Sequence, residues 1–226
     1  MGCIETGSVP RFPFDDVHLT FGPLILPYTL CPGIENLHAV YHFNTPFFNL
    51  LGEIDTLTQA VGTGTVSSVD LEPTAVHIRY RLLSWIDPSS AEEQSSVIQQ
   101  SILFGAVIHI KTLLPEPPVR GIDYTVMISN LKRYLLRVDI CSGIALVVWL
   151  LFIGGCAADN HDRAWFSARL LSVIDQRGIN KWKDVKKILL NFWWVESLHE
   201  EPRRQLWEEV MAMCPRPLAF DDVDLA

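Results

Sequence analysis

Histidines and nearby carboxylates are the residues best able to bind a metal ion or to transfer a proton. None of these groups matches the pattern of a known site. His38 and His42 are four residues apart and would share one face of a helix, as pairs of zinc ligands do. The glutamate that a zinc metalloprotease carries after its first histidine is absent. His161, between Asp159 and Asp162, is more typical of a helix start than of an acid–base pair. We therefore predict no metal site.

Motifs for other chemistries are missing as well. The sequence has no P-loop, no G-x-G-x-x-G and no G-x-S-x-G, and Gly62 and Gly64 form only a short glycine pair. We predict that the chain is not an enzyme, has no catalytic residues and uses no cofactor. The carboxylates near the C-terminus are interpreted as the solvated face of one helix: Glu200, Glu201, Glu208 and Glu209.

The two termini carry the candidate interaction residues. The first six residues match the myristoylation pattern, so Gly2 could be acylated with a palmitoylated Cys3 beside it, although no basic residues follow to assist. An unmodified terminus is the favoured interpretation. The last residues alternate acidic and apolar side chains, as segments that bind a coactivator groove do, and the favoured alternative is a frayed acidic end. The residues of this candidate interaction tail are Phe220, Asp221, Asp222 and Leu225.

Composition indicates a folded, acidic domain. Hydrophobic residues make up 49% of the 226 residues and charged residues 19%, which excludes intrinsic disorder. With 18 basic and 26 acidic residues, the net charge is −8, which opposes direct DNA binding because a DNA-binding face must be basic. The five cysteines, at positions 3, 31, 141, 156 and 214, are too scattered for a local zinc site and fit a reducing compartment.

The hydrophobic pattern predicts an all-α fold, because apolar residues recur at three- and four-residue spacing and no long stretch alternates. We expect stacked antiparallel helix pairs around a central apolar helix. Proline and glycine predict an irregular N-terminal arm and an internal boundary at 115–118. The predicted regions are the arm 1–45, the N-terminal helices 46–115, the C-terminal helical half 116–214 and the acidic tail 215–226.

Residues 140–158 contain no charge and allow two interpretations. Their 19 residues approach the length of about 20 that a membrane-spanning helix needs. A helix that is apolar on all sides is also what the centre of a helical domain requires. We favour the central buried helix, and a membrane-associated protein anchored by this segment or by N-terminal acylation is the alternative.

The C-terminal half carries an ordered series of motifs that resembles the C-terminal part of the fungal-specific transcription factor domain, the helical region downstream of a Zn₂Cys₆ cluster. The resemblance is good over 130–212 and rests on helical character alone over 46–115. The motifs are Leu135-Leu-Arg, Ile140-Cys-Ser-Gly143, the run from Leu150 to Ala158 with its Gly-Gly-x-Ala-Ala, Arg163-Ala-Trp-Phe166, Trp182-x-x-Val-Lys186, Phe192-x-Trp194 and Leu206-Trp-Glu-Glu-Val210.

The resemblance implies a nuclear regulatory domain that acts through protein contacts, either dimerisation or binding of a coactivator, and a small-molecule effector is compatible with it. The clustered cysteines of the family's DNA-binding element are absent from this sequence. We therefore expect a regulatory domain from a longer or degenerate regulator, or a truncated product. We also expect Arg163 to form a local ion pair with Asp159 or Asp162.

Overall fold

The fold was obtained as a computed structural model that describes residues 30–64, 66–86, 94–114, 125–139 and 143–214. Helices, and no strands, form the secondary structure of these residues, which confirms the predicted all-α class. The helices are α1 (Pro32–Tyr41), α2 (Thr45–Thr63), α3 (Ser68–Ser84), α4 (Gln94–Leu113), α5 (Thr125–Leu135), α6 (Ile144–Ala157), α7 (Asn160–Gln176), α8 (Trp182–Leu189) and α9 (Glu196–Ala212).

Polar residues immediately before the helices fix several of their starts. The Asn44 side chain accepts the Phe47 N–H at 2.9 Å and begins α2, as a capping residue does. Ser67 caps α3 by accepting the Val69 N–H, and Asp70 lies in the first turn of this helix. Asp159 caps α7 as predicted, by accepting the backbone N–H groups of the second and third helical residues at about 3 Å.

Helix α1 corrects the prediction that residues 1–45 form an irregular arm. Pro32 occupies the first turn of α1, where its missing N–H is not needed. Gly33 then allows a close approach: its N–H donates to the Asn191 carbonyl at 2.7 Å, and a Cβ there would lie 2.6 Å from the same oxygen. Tertiary docking against the residues that follow α8 thus stabilises a helix that local composition disfavours. Residues 1–29 lie outside the described residues.

Helix α6 is the predicted central apolar helix. It contacts α4, α5, α7, α8 and α9, and every residue from Leu146 to Gly155 is buried. Two glycines allow this crowding: a Cβ on Gly154 would collide with the Phe166 ring of α7, and one on Gly155 would lie 2.7 Å from Leu206 of α9. The two glycines of the Gly-Gly-x-Ala-Ala motif therefore serve close helix packing.

Burial also decides between the two interpretations of the uncharged segment. Helix α6 has 14 residues, fewer than the roughly 20 that a membrane span needs, and neighbouring helices cover it. Residues Ser95–Leu113 of α4 are long and apolar enough to cross a membrane by length and composition. Because 83% of that stretch is buried inside the fold, α4 also has the character of a core helix.

Consecutive helices pair from α2 to α7, as the predicted stack of helix pairs requires. Helix α4 contacts α2 and α3 on the N-terminal side and α5 and α6 on the C-terminal side, so one core includes buried residues from both predicted helical regions. The predicted boundary at 115–118 lies outside the residues that the structure describes. The division into four regions stays a prediction.

Candidate functional site

The candidate residues at the termini lie outside the described residues. This applies to Gly2 and Cys3 at one end and to the interaction tail at the other, whose candidate residues are Phe220, Asp221, Asp222 and Leu225. Both assignments remain predictions from the sequence.

The histidine pair of α1 is separated by the end of the helix. His38 stacks on Phe48 with ring centres 3.9 Å apart, whereas His42 follows the last helical residue with a left-handed φ of 49°. The four-residue spacing therefore does not place both rings on one helical face. Within the described ranges, no group of three potential ligands could hold a metal ion.

Arg163 forms an ion pair, but the predicted partner, Asp159 or Asp162, is wrong. Arg163 forms two hydrogen bonds with the Glu209 carboxylate of α9, at 2.8 and 2.9 Å, and a third with the Gly155 carbonyl at 3.0 Å. The local carboxylates are occupied elsewhere, since Asp159 caps α7 and Asp162 binds Lys132 of α5 at 3.1 Å. The packing of α7 against α9 brings Glu209 within reach of Arg163.

The carboxylates of α9 are likewise more than a solvated face. Glu200 accepts the indole N–H of Trp182 at 3.1 Å and pairs with Lys186 at 2.9 Å. Together with the Glu209 pair to α7, these contacts fasten α9 to α8 and α7. Only the remaining two, Glu201 and Glu208, match the predicted surface role, because both pair with the exposed Arg204 of the same helix.

A polar and aromatic cluster that the sequence reasoning missed lies in the core between α2, α4 and α9. Its histidines and arginine are almost completely buried: the exposed fraction is 0% for His109, 4% for His199 and 3% for Arg203. The ring centre of His109 lies 5.2 Å from that of His199 and 5.5 Å from that of Trp193. We call this the histidine–arginine cluster, and its members are Thr58, His109, Trp193, Trp194, His199 and Arg203.

Hydrogen bonds fix which nitrogen of each histidine carries the proton. The Thr58 hydroxyl donates to the Ile54 carbonyl at 2.8 Å, so Nε2 of His109, at 2.9 Å, must donate to the Thr58 oxygen. The Val195 N–H donates to Nδ1 of His199 at 2.9 Å, which leaves the proton of the neutral ring on Nε2. His109 thus keeps a bare acceptor at Nδ1, and His199 keeps a free donor at Nε2.

Both histidines are neutral at physiological pH because burial disfavours their charged forms. Burial lowers the pKa of His199 to about 3, and the nearby Arg203 charge adds to this effect. The pKa of His109 lies well below its usual value, mainly through burial and further through His199 and Arg203. At neutral pH, Arg203 is therefore the charged member of the cluster.

Arg203 is a buried cation without a carboxylate partner among the described residues. Its Cζ lies 4.8 Å from the centre of the Trp194 ring, a cation–π contact, and its Nη1 has no hydrogen-bond acceptor. Burial lowers the pKa of Arg203 to about 10, so the guanidinium stays charged at neutral pH. The adjacent Cys156 provides no counter-charge, because burial raises the pKa of its thiol to about 11.

The cluster has an excess of hydrogen-bond donors. Within the described structure, Nη1 of Arg203, Nε2 of His199 and the indole N–H of Trp193 are buried without acceptors, against one bare acceptor, Nδ1 of His109. Buried polar groups of folded proteins normally have partners, and an unmet donor costs stability. Three unmet donors, one of them on a cation, therefore suit an acceptor-rich, negatively charged group.

Two sequence signals could have indicated this cluster. His199 and Arg203 are four residues apart and so share a face of α9, and His109 interrupts the apolar run of α4. Neither signal shows that the three side chains meet, because α4 and α9 are far apart in the sequence and only the tertiary fold joins them.

The comparisons with known proteins gave one match. The sequence model of the family described as the fungal specific transcription factor domain matches residues 1–220. No curated protein and no solved structure matches the chain. The family match extends well beyond the C-terminal half in which the motifs were recognised.

Proposed function

The chain belongs to the family of the fungal specific transcription factor domain and has a transcription-regulatory role, and we propose that it performs this role through contacts with other proteins rather than with DNA. The family match over residues 1–220 is the observation that carries the regulatory role. The match includes all the described helices and the core that they share. The whole helical domain is thus the unit to which we assign the function.

Charge supports the exclusion of DNA. The net charge of −8 repels the phosphate backbone, whose binding requires clustered lysines and arginines. The described cations Arg81, Lys132, Arg163, Lys186 and Arg204 all pair with carboxylates, which reduces their availability for phosphates. The scattered cysteines do not form the family's zinc cluster either.

We assign protein contacts of two kinds to the domain: dimerisation of the helical body, and binding of a coactivator by the tail at 215–226. A short segment that alternates acidic and apolar side chains can place its apolar groups in a partner's groove while its charges stay in water. These contacts would occur in the nucleus. We assign no catalytic step: the contact between the Thr58 hydroxyl and His109 lies in the core, and this hydroxyl donates to the Ile54 carbonyl rather than to the ring.

A reporter assay tests the regulatory function. The full chain, fused to a heterologous DNA-binding domain, should change expression of a yeast reporter at least several-fold relative to that DNA-binding domain alone. A fusion with Phe220→Ala and Leu225→Ala tests the tail, and loss of most of the change is expected. Expression equal to the DNA-binding domain alone, with the fusion present in the nucleus, would contradict the proposed function.

A binding assay tests the exclusion of DNA. Titration of a labelled DNA duplex with the purified chain should give no saturable binding at moderate salt, because acidic proteins lack the favourable counterion release. A Kd tighter than about 1 µM for duplex DNA, the strong end of non-specific binding, would show that this part of the proposal is wrong.

A further inference from the structure

We propose that the histidine–arginine cluster is a recognition site for a small carboxylic acid with an apolar body, which binds its carboxylate to Arg203 and His199. The inference goes beyond the proposed function by naming a ligand class and a site. It rests on the proposed function in one respect: we expect the bound acid to act as an effector that changes regulation. The binding step itself can be measured without any assumption about transcription.

The donor arrangement selects the ligand's charged group. Arg203 and His199 are one turn apart on α9, so their unpartnered nitrogens lie on the same side of that helix. A carboxylate has two oxygens with about four acceptor positions, enough to accept from Nη1 of Arg203 and from Nε2 of His199. The planar fork of a guanidinium also matches the geometry of a carboxylate.

The cation–π contact between Arg203 and Trp194 does not block the binding of a carboxylate. Trp194 covers a face of the guanidinium, whereas the N–H groups of a guanidinium project from its edge, within its plane. An acid can therefore bind at the edge while the stack on Trp194 persists. The stack also keeps the guanidinium in position before binding, which reduces the entropy lost when the ligand binds.

The surroundings select an apolar ligand body. Trp194 packs on His199 with ring centres 5.8 Å apart, and His109 and Trp193 complete an aromatic environment. A dianion such as inorganic phosphate would bring more charge than one guanidinium neutralises, and its desolvation would remain uncompensated. A monocarboxylate has one charge for one cation, and an aromatic or aliphatic body suits the indole rings.

The connection between α8 and α9 provides the route to the site. Trp194 belongs to this connection and is half-buried, whereas Arg203 beneath it is almost completely buried. The Trp194 indole N–H donates to the exposed Glu196, so an interaction at the surface holds the indole in place. Movement of the Trp194 side chain would uncover Arg203, while Phe192 and Trp193 stay packed on Trp149 of α6.

Calorimetry on the purified full chain, with benzoate as the probe, tests the proposal. Benzoate should bind with one-to-one stoichiometry and alter the tryptophan fluorescence. Benzamide, which has the same shape without the charge, should bind at least about tenfold more weakly, because charge-assisted hydrogen bonds are stronger than neutral ones. Inorganic phosphate should also bind more weakly than benzoate.

Variants of two neighbouring arginines separate the site from the general surface charge. Arg203→Met should weaken benzoate binding at least about tenfold. Arg204→Met is the matched control, since Arg204 is exposed and paired on the same helix, and it should leave binding unchanged. If Arg203→Met does not fold, Arg203→Lys keeps the charge but loses the planar fork and should still weaken binding.

Four results would overturn the proposal: no saturable benzoate binding up to about 10 mM, equal affinities for benzoate and benzamide, phosphate binding as tight as benzoate, or unchanged affinity in the Arg203 variants. None of these results affects the reporter assay. A chain that regulates the reporter but does not bind benzoate contradicts the site alone. A chain that binds benzoate but leaves the reporter unchanged contradicts the proposed function alone.

Discussion

Helix α6 and the histidine–arginine cluster are buried to a similar extent but differ in how their chemistry fits the core. The residues of α6 from Leu146 to Gly155 are apolar or glycine, apart from the indole N–H of Trp149, and contribute to stability by packing. The cluster places three unmet donors, one of them on a cation, in the same core. The difference teaches that burial in this molecule has two purposes: α6 holds the fold together, and the cluster serves recognition.

We expect the largest loss of stability from a substitution in α6. Leu150→Ala removes a fully buried side chain that packs against Gly105 of α4. The free energy of unfolding should fall by about 2–5 kcal/mol, because a cavity forms where packing is dense. Chemical denaturation measures this loss. A fall below about 1 kcal/mol would show that α6 is not the centre of the core.

Close helix packing predicts the next effect. Gly154→Ala places a methyl group against the Phe166 ring, which is fully buried and cannot yield easily. The free energy of unfolding should fall by about 1–3 kcal/mol. Gly62→Ala is the matched control, because Gly62 is also helical and its nearest neighbour would lie 3.7 Å away. This control should gain up to about 1 kcal/mol from helix propensity, and equal losses in both variants would contradict the packing argument.

The pH dependence of stability probes the cluster. The pKa of His199 is about 3 in the fold and near 6.5 when unfolded, so between these values the unfolded chain binds a proton that the folded chain does not. Stability should therefore fall as the pH decreases from about 6.5, by up to about 1.4 kcal/mol per pH unit for this group. His199→Asn, whose amide oxygen can still accept the Val195 N–H, should show a shallower fall.

Denaturation at pH 7.0, 6.0 and 5.0 for both proteins provides the measurement. Asp55 acts in the opposite direction, because burial raises the pKa of its carboxyl to about 6, so its contribution increases stability as the pH falls through this range. Asp55 is the same in both proteins, and the difference between the two curves isolates His199. Parallel curves would mean that His199 is not buried in its neutral form.

The ion pair between α7 and α9 predicts a smaller effect. Arg163→Gln removes two hydrogen bonds to Glu209 and one to the Gly155 carbonyl, and solvent screens the ion pair because Glu209 is half-exposed. The free energy of unfolding should fall by about 0.5–1 kcal/mol. Glu209→Gln should give a similar fall, and adding the second substitution to the first should cost little more. A loss of several kcal/mol in either variant would show that this surface is part of the core.

The sequence predicted the helices better than the contacts between them. Asp159 begins a helix as expected, because capping is a local property. Helix α1 was missed since Gly33 docks on Asn191, far along the chain. The partner of Arg163 was missed for the same reason: Glu209 is 46 residues away, and local spacing favoured the aspartates.

The candidate site was missed for the same reason, because it depends on contacts between distant parts of the chain. The i, i+4 spacing of His199 and Arg203 was visible, but the burial of both side chains depends on α4 and on the residues between α8 and α9. Charged residues are usually interpreted as surface residues, since few are fully buried without a partner. Arg203 is an exception, because it is buried without a carboxylate partner, and this distinguishes the cluster from the rest of α9.

The central claim is that the cluster serves recognition rather than stability. Its most direct test is the free energy of unfolding of Arg203→Met. Methionine fills a similar volume without a buried charge, and it loses only the cation–π contact with Trp194. We predict a stability within about 1 kcal/mol of the natural chain, or above it. A loss of about 3 kcal/mol or more, the penalty typical of breaking a buried pair, would show that Arg203 is a structural residue and would contradict the account.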